Sequence, residues 1–137
     1  VHGTEGHLIA QELKQEGARV LCGPFLSDRS KPELKRLTPK TPGILMRHEI
    51  PTAIVTDHPV IPLQYLTLTA GLAVREGADS QAALCAITIE PARICGIDDK
   101  VGSIEVGKHA DFVVFEQDPF LLAAKPTMVF VDGVRRV

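Results

Sequence analysis

Eight residues, Thr52-Ala53-Ile54-Val55-Thr56-Asp57-His58-Pro59, constrain this chain more than any other stretch. From Ala53 to Thr56 every residue is small or β-branched. That is the composition of a strand buried on both faces, as in a parallel sheet covered by helices. Pro51 and Pro59 bound the run, because proline lacks the N–H that a strand ladder needs. The run delivers Asp57 and His58 to the carboxyl end of the strand, where parallel α/β folds bind ligands. An Asp there ligates a metal, orients a water or acts as a general base. It serves equally as the cap of the next helix, with Pro62 suited to a first helical turn, and the stretch alone favours that plainer role.

The flanking sequence alternates in the way a parallel sheet requires. Thr4 is the expected N-cap of a helix carrying Leu8, Ile9, Ala10 and Leu13 on one face and stopped by Gly17. Residues 18–24 predict a strand that ends at Gly23-Pro24. A polar, basic segment follows from Phe25 to Thr41, with a short helix expected over 32–37 and another from Pro42 to Glu49. After the central strand, Leu63, Leu66, Ala70, Ala73 and Val74 repeat at helical spacing up to Gly77. Asp79 or Ser80 caps a helix over 81–87, and Pro91 opens one closed by Gly96. Connections of this length suit parallel crossovers.

The character changes near Asp98. Residues 110–115 and 128–131 predict strands, and Asp132-Gly133 is a hairpin signal leading into a return strand. Strands this few cannot bury a core alone.

Composition narrows the functional classes. A chain of 137 residues suits one ordinary domain and is too short for a complete eight-stranded α/β barrel of ~250 residues. With 45% apolar and 23% charged residues it is a globular composition. Net charge is −2 and no basic block stands out, so nucleic acid and anionic membranes are not expected partners. No apolar run of ~18 residues is present to cross a bilayer. Cys22, Cys85 and Cys95 form no Cys-x-x-Cys pair and lie in apolar stretches, so buried reduced thiols and a cytoplasmic location are expected. The sequence opens abruptly on Val1 and His2-Gly3-Thr4-Glu5-Gly6-His7, which gives the expectation of a piece of something longer.

Residues 101–115, Val-Gly-Ser-Ile-Glu-Val-Gly-Lys-His-Ala-Asp-Phe-Val-Val-Phe, followed by Met128-Val129-Phe130-Val131-Asp132-Gly133, closely resemble the C-terminal signature of metal-dependent amidohydrolases. Residues 86–96 resemble the helix that precedes that signature. His2-Gly3-Thr4-Glu5 resembles the segment after the sixth barrel strand, and Thr56-Asp57-His58-Pro59 the end of the eighth. The resemblance covers essentially the whole chain and is strongest to the imidazolonepropionase-like branch.

The resemblance implies an α/β fold: the C-terminal part of a (β/α)8 TIM-type barrel, strands six to eight with their helices, over residues 1–97. Residues 98–137 would be strands of a small composite β-sandwich. It implies hydrolysis of a non-peptide C–N bond in a small molecule, a cyclic amide, imidazolone or related amide. A divalent metal, zinc first, would supply an acidified water and a polarised carbonyl. His2 would be the sixth-strand metal ligand. Asp57 would be both metal ligand and catalytic base, and His58 a substrate contact. His7 is expected on the surface, and His48 and His109 are assigned no chemistry. Arg29, Ser30 and Lys31 follow strand seven on the substrate side, where a solvated loop is the plainer expectation. The ligands the family places on earlier strands have no counterpart here, so the isolated chain is expected to be inactive and metal-poor. The alternative is a non-catalytic α/β module that binds a partner through open sheet edges. Such edges invite homo-oligomers or strand-swapped assemblies.

Overall fold

Two strands separated in sequence by a helix lie side by side. In the computed structural model, which describes residues 2–137, β1 (Val20–Cys22) and β2 (Thr52–Ile54) pair in parallel. Val1 lies outside the described residues. Val20 stands opposite Thr52 and Cys22 opposite Ile54. All three residues of β2 are buried, as its run of small and β-branched side chains requires.

The crossover from β1 to β2 runs through a 3-10 turn at Pro32–Leu34 and helix α2 (Lys40–Arg47). Before β1 stands α1 (Ala10–Gln15), and after β2 come α3 (Leu66–Arg75), α4 (Ser80–Cys85) and α5 (Ile89–Cys95). Asp79 caps α4, its Oδ1 accepting the Ala82 N–H at 2.8 Å. Gly96 ends α5 in the left-handed conformation that glycine adopts without penalty. Two apolar clusters fill the interior. One gathers Ala10, Val20, Cys22, Leu45 and Ile50; the other gathers Ile54, Ala70, Ala73, Ala78 and Ala86. Phe25 packs against both, so the chain leaving β1 sits over the seam between them.

The structure departs from the sequence expectations at four helix starts, one of them α2, which begins at Lys40 with Pro42 as its third residue. The segment from Thr4 is not one helix: a 3-10 turn at Gly6–Leu8 precedes α1, and Thr4 caps nothing. Gly6 is buried between α1 and α2, where an added side-chain carbon would lie 3.6 Å from both Leu13 and Leu45. Pro91 is the third residue of α5 rather than the first, which is tolerated because the first four N–H groups of a helix have no partner within it. Pro62 is extended, at ψ 139°, and precedes a 3-10 turn at Leu63–Tyr65.

The tail forms a separate antiparallel sheet of β3 (Phe112–Phe115), β4 (Pro126–Val131) and β5 (Val134–Arg135). Phe112 and Phe130 stack across β3 and β4 with ring centroids 4.4 Å apart. Asp132 and Gly133 turn the hairpin with φ 51° and 73°, the two positive values a type I′ turn needs. Phe120, in the β3–β4 connection, packs into the second apolar cluster beside α3. The expectation that all three cysteines are buried is corrected. Cys22 is buried, Cys85 is half-buried, and Cys95 is exposed at the last turn of α5; all three are free.

Candidate active site

The carboxyl end of β1 is gripped from both sides. Cys22 O accepts the Val55 N–H at 2.9 Å, and the Gly23 N–H donates to His2 O at 3.2 Å. The segment carrying His2 and the segment carrying Asp57 therefore flank β1. Glycine makes both approaches possible. A side-chain carbon on Gly3 would lie 2.9 Å from both Cys22 Sγ and Val20 Cγ1. On Gly23 it would lie 2.1 Å from Val55 O.

Across this junction His2 Nε2 lies 3.2 Å from Asp57 Oδ2. The two side chains are 41% and 44% exposed, so the pair faces open space at the sheet end. Both residues hold positive φ, 72° at His2 and 55° at Asp57. Non-glycine residues in this region are uncommon, and they concentrate in tight turns and at functional sites. The Asp57 carboxylate does not cap the next helical turn. Its backbone carbonyl accepts the Val60 N–H, while the side chain meets His2. The pairing is what the sequence alone could not decide.

The donor set fits a divalent cation. One imidazole nitrogen and one carboxylate oxygen are ligands that zinc and its neighbours accept. Two atoms each ~2.0–2.1 Å from a tetrahedral ion stand about 3.3 Å apart, and these stand 3.2 Å apart. Two ligands do not close a coordination shell, so the pair fits as one share of a larger set.

His58 is exposed beside Asp57. His7, expected on the surface, is half-buried, and its Nδ1 shares a 2.9 Å hydrogen bond with Thr41 Oγ1. Thr41 is itself buried in the first turn of α2, so this contact ties the segment behind His2 to the helix. Nothing in the spacing of His7 and Thr41 signals it. His48 Nδ1 donates to Ile44 O within α2. His109, Asp111 and Asp132 place ligand-type atoms within 4.8 Å of one another on the exposed tail sheet. Arg29, Ser30 and Lys31 are exposed on the β1–α2 loop. The Ser30 amide and hydroxyl both donate to Asp28 Oδ1, at 3.3 Å and 2.8 Å. These bonds hold the Asp28 carboxyl below its usual range, with a smaller contribution from the Lys31 charge. Two concavities, lined by Glu116, Ala123 and Thr127 and by Gly43, Met46 and Asp79, lie apart from the His2–Asp57 pair, which stands uncovered.

A parallel strand pair with an imidazole and a carboxylate together at its carboxyl end places this chain among α/β proteins, whose ligands bind at strand termini. Residues 9–136 match the amidohydrolase family, and the chain belongs to it. It is 30% identical over 135 residues to the amidohydrolase tasK of Hapsidospora irregularis, covering 96% of this chain and 14% of that protein. An amidohydrolase from Thermotoga maritima superposes with TM-score 0.93 at 41% identity, over 99% of this chain and 36% of that one. A zinc-bound adenosine deaminase from Xanthomonas campestris superposes with TM-score 0.67 at 26% identity, over 95% and 34%. The chain thus spans between 14% and 36% of the length of these relatives. The mixed α/β fold is that of amidohydrolase structures, the TIM-barrel superfamily. Among the described residues no helix is long and apolar enough to cross a membrane.

Proposed function

We propose that this chain supplies one share of a metal-dependent hydrolytic centre in a full-length amidohydrolase. On this reading residues 1–97 hold the end of strand six at His2, with β1 and β2 as strands seven and eight of a (β/α)8 barrel, and residues 98–137 hold the strands of a small sandwich. The observation that carries it is the 3.2 Å meeting of His2 Nε2 and Asp57 Oδ2 across β1. His2 Nε2 offers a lone pair, and the Asp57 carboxylate both ligates and takes the proton of the attacking water. A divalent metal, zinc first, when bound acidifies that water toward a pKa of ~7 and polarises the carbonyl under attack. His58, exposed beside Asp57, contacts the substrate. The substrate is a small molecule with a non-peptide C–N bond, a cyclic amide or imidazolone as in the imidazolonepropionase-like branch, and the setting is the cytoplasm. The isolated chain, with two ligands, does not turn over.

The test is turnover by the full-length protein on a panel of cyclic amides and imidazolones. Asp57→Asn keeps the shape of the side chain and removes the base, so hydrolysis should fall by about a thousandfold or more. Undiminished turnover by that variant would refute the assignment.

A second reading is favoured by one observation. Ile104, Val106 and Leu122 are each more than four-fifths exposed, and β3 has an unpaired outer edge among the described residues. The chain on its own therefore self-associates through open edges, as homo-oligomers or strand-swapped pairs.

A further inference from the structure

Between His2 and His7 stand Gly3, Thr4, Glu5 and Gly6, so half of that short segment is glycine. Glycine leaves a backbone less restrained than any other residue does. Yet His2 holds φ 72°, a conformation that persists in a non-glycine residue only where its surroundings fix it. On the strand side the fastening is the Gly23 N–H, which donates to His2 O at 3.2 Å. On the other side the Gly6 N–H donates to Gly3 O at 3.1 Å and closes one turn. That turn needs an anchor of its own.

Two side chains offer one. Glu5 Oε1 lies 3.4 Å from Arg36 Nε, but both side chains are more than half exposed, where water and salt weaken an ion pair. His7 is half-buried, and its Nδ1 shares a 2.9 Å hydrogen bond with Thr41 Oγ1. Thr41 is 1% exposed, so its hydroxyl has no water to fall back on if His7 leaves. Orphaning a buried hydroxyl costs more than parting an exposed ion pair, so the His7 contact is the firmer anchor. It fastens the turn behind His2 to the first turn of α2.

We propose that His7 is a positioning residue for His2. Its bond to Thr41 fixes the turn of residues 3–6 and so sets where His2 Nε2 stands against Asp57 Oδ2, 3.2 Å away. This rests on the hydrolase reading above, in which His2 ligates the metal. His7 touches neither the ion nor the substrate; it acts through the backbone between itself and His2.

The experiment uses the full-length protein. Zinc affinity is read by competition with a chromophoric chelator, and the absorption spectrum of the cobalt-loaded protein reports the geometry of the ligands. Thr41→Val keeps the shape of a buried side chain and removes the hydroxyl, and His7→Ala removes the other partner. Zinc affinity should fall about tenfold in each, and no further when the two are combined. The cobalt spectrum should shift in both, and kcat should fall with KM unchanged. Thr41→Ser, which keeps the hydroxyl, should behave as the parent. So should Lys14→Gln, which removes the 2.9 Å bond from Lys14 of α1 to Glu49, just past the far end of α2. Parent affinity and an unshifted spectrum in both single variants overturn the proposal. An equal loss in Lys14→Gln overturns it too, because general loosening and not the His7 contact would then move the metal. His2→Asn separates the two readings. If it weakens zinc binding while Thr41→Val and His7→Ala do not, the positioning role alone fails. If it leaves zinc affinity at the parent value, the hydrolase reading fails and this proposal with it.

Discussion

The backbones at Gly23 and Val55 touch with nothing between them: a side-chain carbon on Gly23 would sit 2.1 Å from the Val55 carbonyl oxygen. The contact closes the carboxyl ends of β1 and β2 and so sets how far Asp57 stands from His2. Gly23 also holds φ 134°, a conformation that other residues avoid. Gly23→Ala must therefore part the two strand ends, and it is expected to cost about 3 kcal/mol or more in denaturant unfolding. Gly17→Ala is the internal control. Its φ is 61° and the space around it is empty, so it should cost only about 1 kcal/mol. Equal losses at the two sites would mean that the Gly23 contact carries no weight.

The His2–Asp57 hydrogen bond has a consequence for metal removal. With no cation between them, the imidazole and carboxylate satisfy each other at 3.2 Å. Stripping the metal from the full-length protein with a chelator should therefore abolish hydrolysis while leaving the far-ultraviolet circular dichroism unchanged, and added zinc should restore the rate. Loss of the helical signal on chelation would show instead that the metal holds the fold.

Much of this arrangement was legible in the residues, for identifiable reasons. The β-branched run before Asp57 marks a buried strand because few other environments suit it. Gly23-Pro24 marks the end of β1, Asp79 the start of α4, and Asp132-Gly133 the hairpin, each through chemistry local to a few residues. What stayed hidden depends on distant packing. The Gly6 turn packs against Leu45 of α2, and His7 is hydrogen-bonded to Thr41, thirty-four positions away. Periodicity reports which face of a helix is apolar, but not what lies against it. Cys95 was misplaced for the same reason: its neighbours in sequence are apolar, yet it falls on the open side of the last turn of α5.

Cys22 gives the pH behaviour a definite sign. Its side chain is fully buried under Gly3, and burial pushes the thiol from 9.0 up to about 12. Folded protein thus keeps a proton that the unfolded chain gives up above pH 9. The stability this confers is intact below pH 9 and falls as pH rises from about 9 to about 12. Alkylation at pH 8.5 should accordingly mark the exposed Cys95 and spare Cys22 until the chain is denatured. Alkaline unfolding measured against Cys22→Ala should show a steeper decline between pH 9 and 12 in the parent than in the variant. Early labelling of Cys22 would contradict the burial on which this rests.

The isolated chain also exposes surfaces that a folded protein rarely leaves bare. Ile104, Val106 and Leu122 stand almost entirely in solvent, and Val113, on the outer strand β3, is 48% exposed. β3 pairs only with β4, so among the described residues one row of its backbone donors and acceptors has no strand partner. Apolar side chains on an unpaired edge are a template for another strand. The 137-residue chain is therefore expected to self-associate at micromolar concentration, with a mass by light scattering that rises with concentration. Val113→Lys places a charge on that edge at a position already half in water, so it should cut the association without loosening the core. The same substitution in the full-length protein, where the additional chain is expected to cover the edge, should instead lower stability by about 1–2 kcal/mol. A chain that stays monomeric across the micromolar range would refute the edge-pairing account.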